Sequence, residues 1–204
     1  MPDNVLKSTI GTGCSGNEFL NRAILFAVDK HKNQVRKGTM IPYIVHPLET
    51  MTILLNMEAD IELLAVGVLH DTVEDTDATE EEILTVFGER VASLVLKHSE
   101  DKSKTWQERK TKAIEEVKGS EKEYQMLILA DKVSNMRSCA RDLRSFEKEE
   151  NFWKRFNAPK DRQEWYYRNM YHALSEMADF AETASVYQEM RDLYIEIYRE
   201  DPDL

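Results

Sequence analysis

Two metal-binding side chains and two further acids stand together in the run Leu69-His70-Asp71-Thr72-Val73-Glu74-Asp75. The run follows an apolar segment, and the pattern predicts one continuous helix through both. Because an α-helix repeats about every 3.6 residues, Glu74 would lie over His70 and Asp75 over Asp71. Carboxylates crowded around one imidazole repel one another unless a cation lies among them. The run therefore predicts a metal-dependent acid–base site, provided that other parts of the chain supply further ligands.

The composition narrows the class of protein. The chain has 204 residues, of which 42% are hydrophobic and 32% charged, so one globular domain is expected over residues 1–204. The scarcity of glycine (7) and proline (5) disfavours a turn-rich β architecture. No apolar run reaches the roughly 18 residues of a membrane-spanning helix, and the N-terminus shows no secretion signal, so no membrane association is expected. The two cysteines, Cys14 and Cys139, form no CxxC motif, which fits a reducing, cytoplasmic setting.

The net charge of −11 bears on the partners of the protein, because it argues against binding to DNA, RNA or an anionic membrane. A small anionic substrate is still compatible, since a local cluster of cations or a bound metal outweighs the overall field at short range. One such cluster is predicted between Lys30 and Lys37, and a second comprises Lys102, Lys104, Arg109 and Lys110. A homo-oligomer is also compatible with the sequence, which does not determine the oligomeric state.

Helical signals dominate the rest of the chain, and the pattern predicts an all-α bundle of about eight to ten helices. Asn17 is predicted to cap a first helix at residues 18–32. In the dipeptide His46-Pro47, the proline favours an extended histidine and can itself start the next helix. Capping boxes are predicted at Thr79–Glu82 and Ser120–Glu123, and the second would open a long helix.

Two side chains outside the HD run are candidate metal ligands. His46 is fixed by Pro47 at a junction between loop and helix, although a helix-capping histidine without a ligand role is the alternative. Asp131 follows the apolar run of residues 124–130, where a buried carboxylate is costly unless it is paired or metal-bound. Its alternative is an ion pair with Lys132 or an arginine. Two imidazoles and two carboxylates would suit Mn²⁺ or Fe²⁺, with Zn²⁺ as a further option.

Five blocks of the sequence, in order, resemble the hydrolase domain of the Rel/Spo stringent-response enzymes, which are HD-domain metal-dependent phosphohydrolases. The blocks are His31-x-x-Gln34-Val35-Arg36-Lys37-Gly38, Pro42-Tyr43-Ile44-Val45-His46-Pro47, Leu69-His70-Asp71-Thr72-Val73-Glu74-Asp75-Thr76, Phe87-Gly88 and Leu129-Ala130-Asp131-Lys132-x-x-Asn135-Met136-Arg137. The resemblance covers about residues 18–140, with further C-terminal helices expected at about 141–200. The synthetase and regulatory domains of the long enzymes would not fit in this length, so we expect a small alarmone hydrolase of the metazoan SpoT-homologue type.

The resemblance implies a reaction and the residues that perform it. The reaction is hydrolysis of guanosine 3′,5′-bis(diphosphate) and its pentaphosphate form (ppGpp and pppGpp) to GDP or GTP and pyrophosphate by a metal-activated water. One Mn²⁺ per chain would be held by His46, His70, Asp71 and Asp131. Glu74 and Asp75 would act as general acid and base, in roles that the resemblance does not divide between them.

The resemblance also implies how a nucleotide is bound. Arg36 would stack its guanidinium on the guanine base, since a planar cation lies well on a π face. The other implied substrate contacts are Lys37, Tyr43, Lys132, Asn135 and Arg137. Ser134 stands where the family commonly has His or Tyr, and the segment after Lys97 lacks the usual Val-Thr pair. These departures leave the selectivity for base and phosphate open.

Two other functions are alternatives to guanine alarmone hydrolysis. One is a related phosphohydrolase acting on an adenine alarmone or on the 2′-phosphate of NADPH, and the other is an inactive nucleotide-binding regulator. The complete set of predicted ligands and acids disfavours the regulator.

His98 and His172 match no motif and receive no role. The aromatic-basic cluster is interpreted as core or, alternatively, as a C-terminal wall of the nucleotide pocket; it comprises Trp153, Arg155, Trp165, Tyr166 and Tyr167.

Overall fold

The computed structural model describes residues 15–146 and 149–203, and apart from one isolated β-bridge every regular element within them is helical. The helices are α1 (Gly16–Lys30), α2 (Val45–Asn56), α3 (Ile61–Leu69), α4 (Thr72–Asp75), α5 (Glu80–Phe87), α6 (Glu89–His98), α7 (Trp106–Val117), α8 (Lys122–Ser145), α9 (Glu149–Trp153), α10 (Lys160–Ala173) and α11 (Ala181–Tyr198), with a 3₁₀ turn at Ser175–Ala178. The all-α prediction is confirmed. None of the described helices is long and apolar enough to cross a membrane. Cys14 lies outside the described residues.

Helix α3 forms the centre of the bundle because its sequence is apolar on every side. All residues from Leu63 to Leu69 are buried, as expected for a helix without a polar face. The helix packs against α1, α2, α6 and α8. Gly67 lets α2 approach closely, because a Cβ atom there would lie 2.6 Å from Leu54 Cδ1 and 3.3 Å from the backbone of Met51. This packing fixes the end of α3, where His70 follows.

Helix α8 is the second buried helix that positions the site. Its residues from Tyr124 to Ser134 are all buried, and it packs against both α2 and α11. Asp131 stands on this buried stretch, as the sequence predicted. The meeting point of α2, α3 and α8 therefore collects side chains that are remote in sequence.

The start of the first helix differs from the prediction. Helix α1 is capped by Ser15 rather than by Asn17, which lies in its first turn. Ser15 Oγ accepts from the Glu18 N–H at 3.3 Å, and Glu18 Oε2 accepts from the Ser15 N–H at 3.1 Å. Ser15 is the cap because Glu18 stands three residues after it. The two side chains form a reciprocal capping box, which Asn17 cannot form.

The second helix also starts earlier than predicted, and His46 is helical rather than extended. Helix α2 begins at Val45, and Ile44 before it already has αR backbone angles. The N–H groups of Val45 and His46 donate to the carbonyls of Pro42 and Tyr43 at 3.2 and 3.0 Å, so the turn forms before the proline. The bias of a pre-proline residue toward extended angles is weak enough for packing to override it.

The helix through the HD run is interrupted, so the prediction of one continuous helix is wrong. Helix α3 ends at Leu69, His70 and Asp71 form a turn, and α4 begins at Thr72. The Thr72 hydroxyl donates to the Leu69 carbonyl at 2.6 Å and replaces a backbone donor there. Asp75 still donates its N–H to the Asp71 carbonyl at 2.9 Å, so the predicted relation between these two residues persists.

Of the two predicted capping boxes, one is present and the other is not. Thr79 and Glu82 cap α5 reciprocally, and Gly88 ends that helix with a φ of 87°. At the second position, Ser120 donates its hydroxyl to the Val117 carbonyl at 2.9 Å and thereby closes the preceding turn. Helix α8 consequently starts at Lys122, without a side-chain cap.

Candidate active site

Three buried side chains from three helices meet at one point. His46 comes from α2, His70 from the end of α3 and Asp131 from α8, and none is more than 4% exposed. His46 Nε2 lies 3.2 Å from His70 Nε2 and 3.2 Å from Asp131 Oδ1. Their ligand atoms are spaced as the donors of one metal ion would be.

Asp71 is the fourth member of the cluster. Its Oδ2 lies 3.1 Å from His70 Nε2 and 3.5 Å from His46 Nε2. Tyr43 donates its hydroxyl to the same oxygen at 2.7 Å and thereby fixes the carboxylate. The structure thus brings together all four side chains that the sequence predicted as ligands.

Hydrogen bonds set the direction in which each imidazole offers its lone pair. His70 Nδ1 lies 2.8 Å from the Gly67 carbonyl, which can only accept, so Nδ1 carries the hydrogen. His46 Nδ1 lies 2.9 Å from Ser134 Oγ, and the Ser134 hydroxyl donates to Glu49 Oε2 at 2.8 Å. Because that hydroxyl proton is used, Ser134 accepts from His46. Both rings therefore turn Nε2 toward the cluster, as metal-binding histidines do.

The charges of the cluster fit a divalent cation. Burial opposes ionisation of Asp131, but the neighbouring Lys132 ammonium, 2.5 Å away, outweighs burial and holds the pKa of Asp131 well below its usual range. Burial likewise opposes protonation of His70, yet Asp71 outweighs it and raises the pKa of His70 to about 9. Without a metal, a proton therefore supplies the positive charge that the two carboxylates require. The donor set of imidazole and carboxylate suits Mn²⁺, Fe²⁺ or Zn²⁺.

A fifth side chain, His98, lies against this cluster although the sequence analysis gave it no role. Its Nε2 is 3.8 Å from Asp71 Oδ1 and 3.8 Å from Asp131 Oδ2. Its ring meets the His70 ring edge to face, with 4.9 Å between centroids. His98 is the last residue of α6, far from the HD run in sequence, and no motif marks it. Only the packing of α6 against α3 brings it to the site.

The two predicted acid–base residues differ in their surroundings. Glu74 Oε2 accepts from the Glu100 N–H at 3.0 Å, and burial raises the pKa of the Glu74 carboxyl. Asp75 accepts from the Lys102 ammonium at 2.8 Å and is twice as exposed, 36% against 17% for the side chains. Glu74 lines the cavity beside the predicted metal ligands, whereas Asp75 is not among the residues that line it.

A cavity of about 240 Å³ opens directly onto the cluster of predicted metal ligands, which we call the metal cluster. His46, Asp71, His98 and Asp131 form part of its wall. Lys104, Arg109 and Lys110 of the second predicted cationic cluster line it as well, and Lys132 is near the metal ligands. Glu100 pairs with Arg109 and Lys110 at 2.6 and 2.7 Å and holds them in place. Lys102, the other member of that cluster, pairs instead with Asp75.

A second cavity, of about 210 Å³, adjoins the first and shares Tyr43 and Asn135 with it. Arg36 and Lys37 also line it. The Arg36 guanidinium lies over the Tyr43 ring, 5.5 Å from its centroid, and donates to Asn135 Oδ1 at 2.7 Å. Asn135 in turn donates to Asp131 Oδ1 at 2.6 Å, so this arginine is linked to the metal cluster through one amide.

The C-terminal aromatic-basic cluster lies partly in the core and partly along the two cavities. Core and pocket wall are the two interpretations of its sequence. Trp153 and Tyr166 are buried in the core. Tyr166 also lines the first cavity, while Trp153, Arg155 and Tyr167 line the second. Trp165 lines neither cavity and packs near Trp106.

Arg137 is the predicted substrate residue that the structure does not bring to either cavity. Its Nε and Nη2 donate to Glu189 at 2.6 and 2.8 Å, and its Nη1 donates to Glu49 at 3.3 Å. The arginine therefore ties α8 to α11 and α2. Arg137 stands two residues after Asn135, which places the two side chains on different sides of α8, and only Asn135 faces the site.

Comparisons with known proteins agree with this geometry. A model of the HD domain family matches residues 23–151. The guanosine-3′,5′-bis(diphosphate) 3′-pyrophosphohydrolase MESH1 of Danio rerio is 39% identical over 133 residues, which are 63% of this chain and 73% of that protein. The pyrophosphohydrolase of Aquifex aeolicus is 51% identical over 78 residues, and that match spans only 11% of the bacterial protein.

Two solved structures share the fold. One is the metazoan orthologue of SpoT described as hydrolysing ppGpp, with a TM-score of 0.69 and 27% identity, covering 92% of this chain and 97% of that one. The other is lmo0812 from Listeria monocytogenes EGD-e, with a TM-score of 0.66 and 32% identity, covering 78% of this chain and 97% of that one.

Proposed function

This chain belongs to the HD domain family, and on that premise we propose that it is a guanosine-3′,5′-bis(diphosphate) 3′-pyrophosphohydrolase. The substrates would be ppGpp and pppGpp, and the products GDP or GTP and pyrophosphate. The observation that carries the proposal is the cluster of His46, His70, Asp71 and Asp131 beside a cavity that basic side chains also line. Relatives that share this domain are named for the same reaction.

One divalent cation per chain would be held by His46, His70, Asp71 and Asp131, and we propose that it is Mn²⁺. Such a cation lowers the pKa of a coordinated water and polarises a phosphate oxygen. The protein's own part is orientation. Gly67 and Ser134 fix the two imidazoles through their Nδ1 atoms, while Tyr43 and Lys132 fix the two carboxylates.

Glu74 is the residue placed to move a proton. It lines the cavity and its pKa is raised by burial, so it can carry a proton closer to neutral pH than an ordinary glutamate does. Hydrolysis breaks the bond between the 3′ oxygen and phosphorus, and the leaving oxygen needs a proton. We assign its donation to Glu74. Asp75 would orient Lys102 and Tyr43, which it contacts at 2.8 and 3.4 Å.

In this proposal the first cavity binds phosphates of the substrate and the second cavity binds its base. Lys104, Arg109 and Lys110 would bind phosphate oxygens in the first cavity. Arg36 would stack on the base in the second, where Lys37 is available for a further phosphate. Because aromatic residues of the C-terminal helices line both cavities, we propose that residues 1–204 act as one domain. A cytoplasmic location and a small anionic nucleotide as the partner belong to the same proposal.

Product analysis against a panel of nucleotides tests this function and its alternatives. The purified chain is incubated with Mn²⁺ and with ppGpp, its adenine counterpart or NADPH, and the products are separated by ion-exchange chromatography. We expect pyrophosphate and GDP from ppGpp at the highest rate. A faster release of phosphate from NADPH, or a preference for the adenine compound, would replace the proposed substrate. Binding of ppGpp without any product would favour the inactive regulator.

A further inference from the structure

We propose that His98 is an additional ligand of the metal ion, which gives the centre three imidazoles and two carboxylates. The inference rests on the proposed metal centre and adds to it a residue that lies outside every motif of the sequence. It concerns the identity of the bound metal, because the number of nitrogen ligands governs which ions a site prefers.

The distances around His98 are those expected between ligands of one ion. Ligand atoms about 2.1 Å from a metal lie about 3 Å apart when adjacent and about 4 Å apart when opposite. His98 Nε2 lies 3.8 Å from Asp71 Oδ1 and 3.8 Å from Asp131 Oδ2. His46 and His70 face the other oxygen of each carboxylate, so a shared ion would be bound through both sides of the two carboxylates. His70, Asp71 and His98 offer ligand atoms that all lie within 4.8 Å of one another. His70 and Asp71 thus belong to the predicted metal centre and also to the group that includes His98.

His98 has no competing structural partner among the described residues. Its side chain is 10% exposed, and its Nδ1 is buried without a hydrogen bond. The two carboxylates at 3.8 Å are too distant for hydrogen bonds to Nε2. His98 also lines the first cavity, and its Nε2 atom has no protein hydrogen bond among the described residues, so this atom is available to a cation. A metal bond to Nε2 would give this ring a polar partner beside His70, while Nδ1 would stay unpaired.

The surrounding helix holds His98 in this position. Val91, Ala92 and Val95 bury one face of α6, which packs against α3. Just before the histidine, the Lys97 carbonyl accepts from the Tyr124 hydroxyl at 3.2 Å. The end of α6 is therefore fixed to α8, the helix that carries Asp131. The imidazole needs little reorganisation to bind an ion.

The charges favour one shared ion over a second ion next to His98. The Asp131 oxygen that faces His98 is Oδ2, and the Lys132 ammonium lies 2.5 Å from the same oxygen. A second cation held by His98 and this oxygen would stand beside that ammonium and be repelled by it. The stoichiometry is therefore one ion per chain.

A third imidazole should shift the preference of the site. Nitrogen ligands favour Co²⁺ and Zn²⁺ over Mn²⁺ more strongly than oxygen ligands do. We expect this chain to bind Co²⁺ far more tightly than Mn²⁺, and to lose part of that preference when His98 is removed.

Metal binding to the purified chain tests the inference without reference to catalysis. Co²⁺ and Mn²⁺ affinities are measured by chelator competition for the wild type, His98→Ala and His98→Asn. His172→Ala is the matched control, because it removes an exposed histidine elsewhere on the surface. Circular dichroism establishes that each variant is folded. The visible spectrum of bound Co²⁺ reports the ligands directly.

We expect both His98 variants to bind Co²⁺ at least about tenfold more weakly, with a smaller loss for Mn²⁺. The Co²⁺ spectrum should change, the stoichiometry should stay at one, and His172→Ala should match the wild type. Folded His98 variants with unchanged affinity and spectrum would overturn the inference. So would a wild type that binds two ions and a His98→Ala chain that binds one.

The result is separable from the test of function. A chain that needs His98 for Co²⁺ but hydrolyses no nucleotide would refute the proposed reaction alone. A chain that hydrolyses ppGpp and binds metal equally well without His98 would refute this inference alone.

Discussion

The Nε2 atoms of His46 and His70 lie 3.2 Å apart in the interior of the protein. Each ring turns its Nδ1 toward an oxygen, Ser134 Oγ for His46 and the Gly67 carbonyl for His70. Two nitrogen lone pairs that face each other at this distance repel, and a proton or a metal ion between them relieves the repulsion. The pair is therefore arranged to hold a cation, and protons compete with metal for it.

Metal affinity should consequently rise with pH. Burial opposes protonation of His70, but Asp71 outweighs burial and raises the pKa of His70 from 6.5 to about 9 in the metal-free protein. A metal ion must displace this proton at neutral pH, and the competition ends as the pH rises through about 9. We expect the apparent affinity to increase by up to about tenfold per pH unit between about pH 7 and 9. Chelator competition at each pH measures the metal affinity. An affinity that does not change with pH would contradict His70 as a metal ligand.

The same shift predicts how the stability of the chelated protein changes with pH. Because the pKa of His70 is higher in the folded state, its protonation stabilises the fold fully below about pH 6.5, and this stability is lost as the pH rises through about 9. Thermal unfolding in a chelator should show a lower Tm at pH 9 than at about pH 7. In His70→Gln this decline should be smaller. An equal decline in both proteins would assign the effect to other groups.

Substitution of the two acids should separate their roles. Glu74→Gln should lower kcat on the order of 10²-fold, because a partly buried carboxyl at the cavity wall loses its transferable proton. Asp75→Asn should lower kcat less, since Asp75 does not line the cavity and pairs with Lys102. Metal content should be unchanged in both. Glu116→Gln is the control, because Glu116 lines the same cavity but pairs with Lys112. A larger loss for Asp75→Asn would exchange the two roles.

Arg36→Ala should mainly raise KM, because stacking on the base stabilises the ground and transition states alike. Arg36→Lys should rescue poorly, since an ammonium cannot lie flat on a ring. The control is Arg141→Ala, which removes another cation from the same cavity.

A substrate without a base distinguishes stacking from phosphate binding. Stacking predicts that Arg36→Ala affects a 3′-pyrophosphorylated nucleotide more than a ribose 3′-pyrophosphate. Equal losses on both substrates, together with rescue by lysine, would assign Arg36 to a phosphate.

Ser134→Ala should weaken metal binding although Ser134 is not a ligand. The hydroxyl accepts from His46 Nδ1 and donates to Glu49, so its loss frees the imidazole to rotate. Comparable partners of metal-binding histidines contribute about 10- to 100-fold to affinity. Ser138→Ala, one turn later on α8, is the matched control. If the two variants bound metal equally well, the orientation of His46 would have another origin.

The sequence was sufficient for the features that local patterns encode. The all-α class followed from helical periodicity, and the resemblance to the Rel/Spo hydrolase domain implied four metal ligands that the structure gathers at one point. The start of α1 was missed by two residues because Ser15 and Asn17 are both competent caps, and the partner Glu18 decides between them.

The remaining features depend on contacts between distant helices. His98 reaches the metal cluster only because α6 packs on α3, which no local pattern reveals. Arg137 was predicted to bind substrate from its place in a motif, but Glu189, on α11, binds its guanidinium. The break after Leu69 coincides with a hydrogen bond from the Thr72 hydroxyl to the Leu69 carbonyl, which the helical pattern does not reveal.

The most direct test compares the wild type with His70→Ala/Asp71→Ala, in the presence of Mn²⁺ and ppGpp. Phosphorus NMR follows the products, while metal analysis and circular dichroism report ion content and fold. The wild type should bind one ion and release GDP and pyrophosphate. The variant should keep its helical spectrum, lose the ion and release neither product. Equal pyrophosphate release by a metal-free variant, or none by the metal-bound wild type, would contradict a metal-dependent hydrolase built on the HD residues.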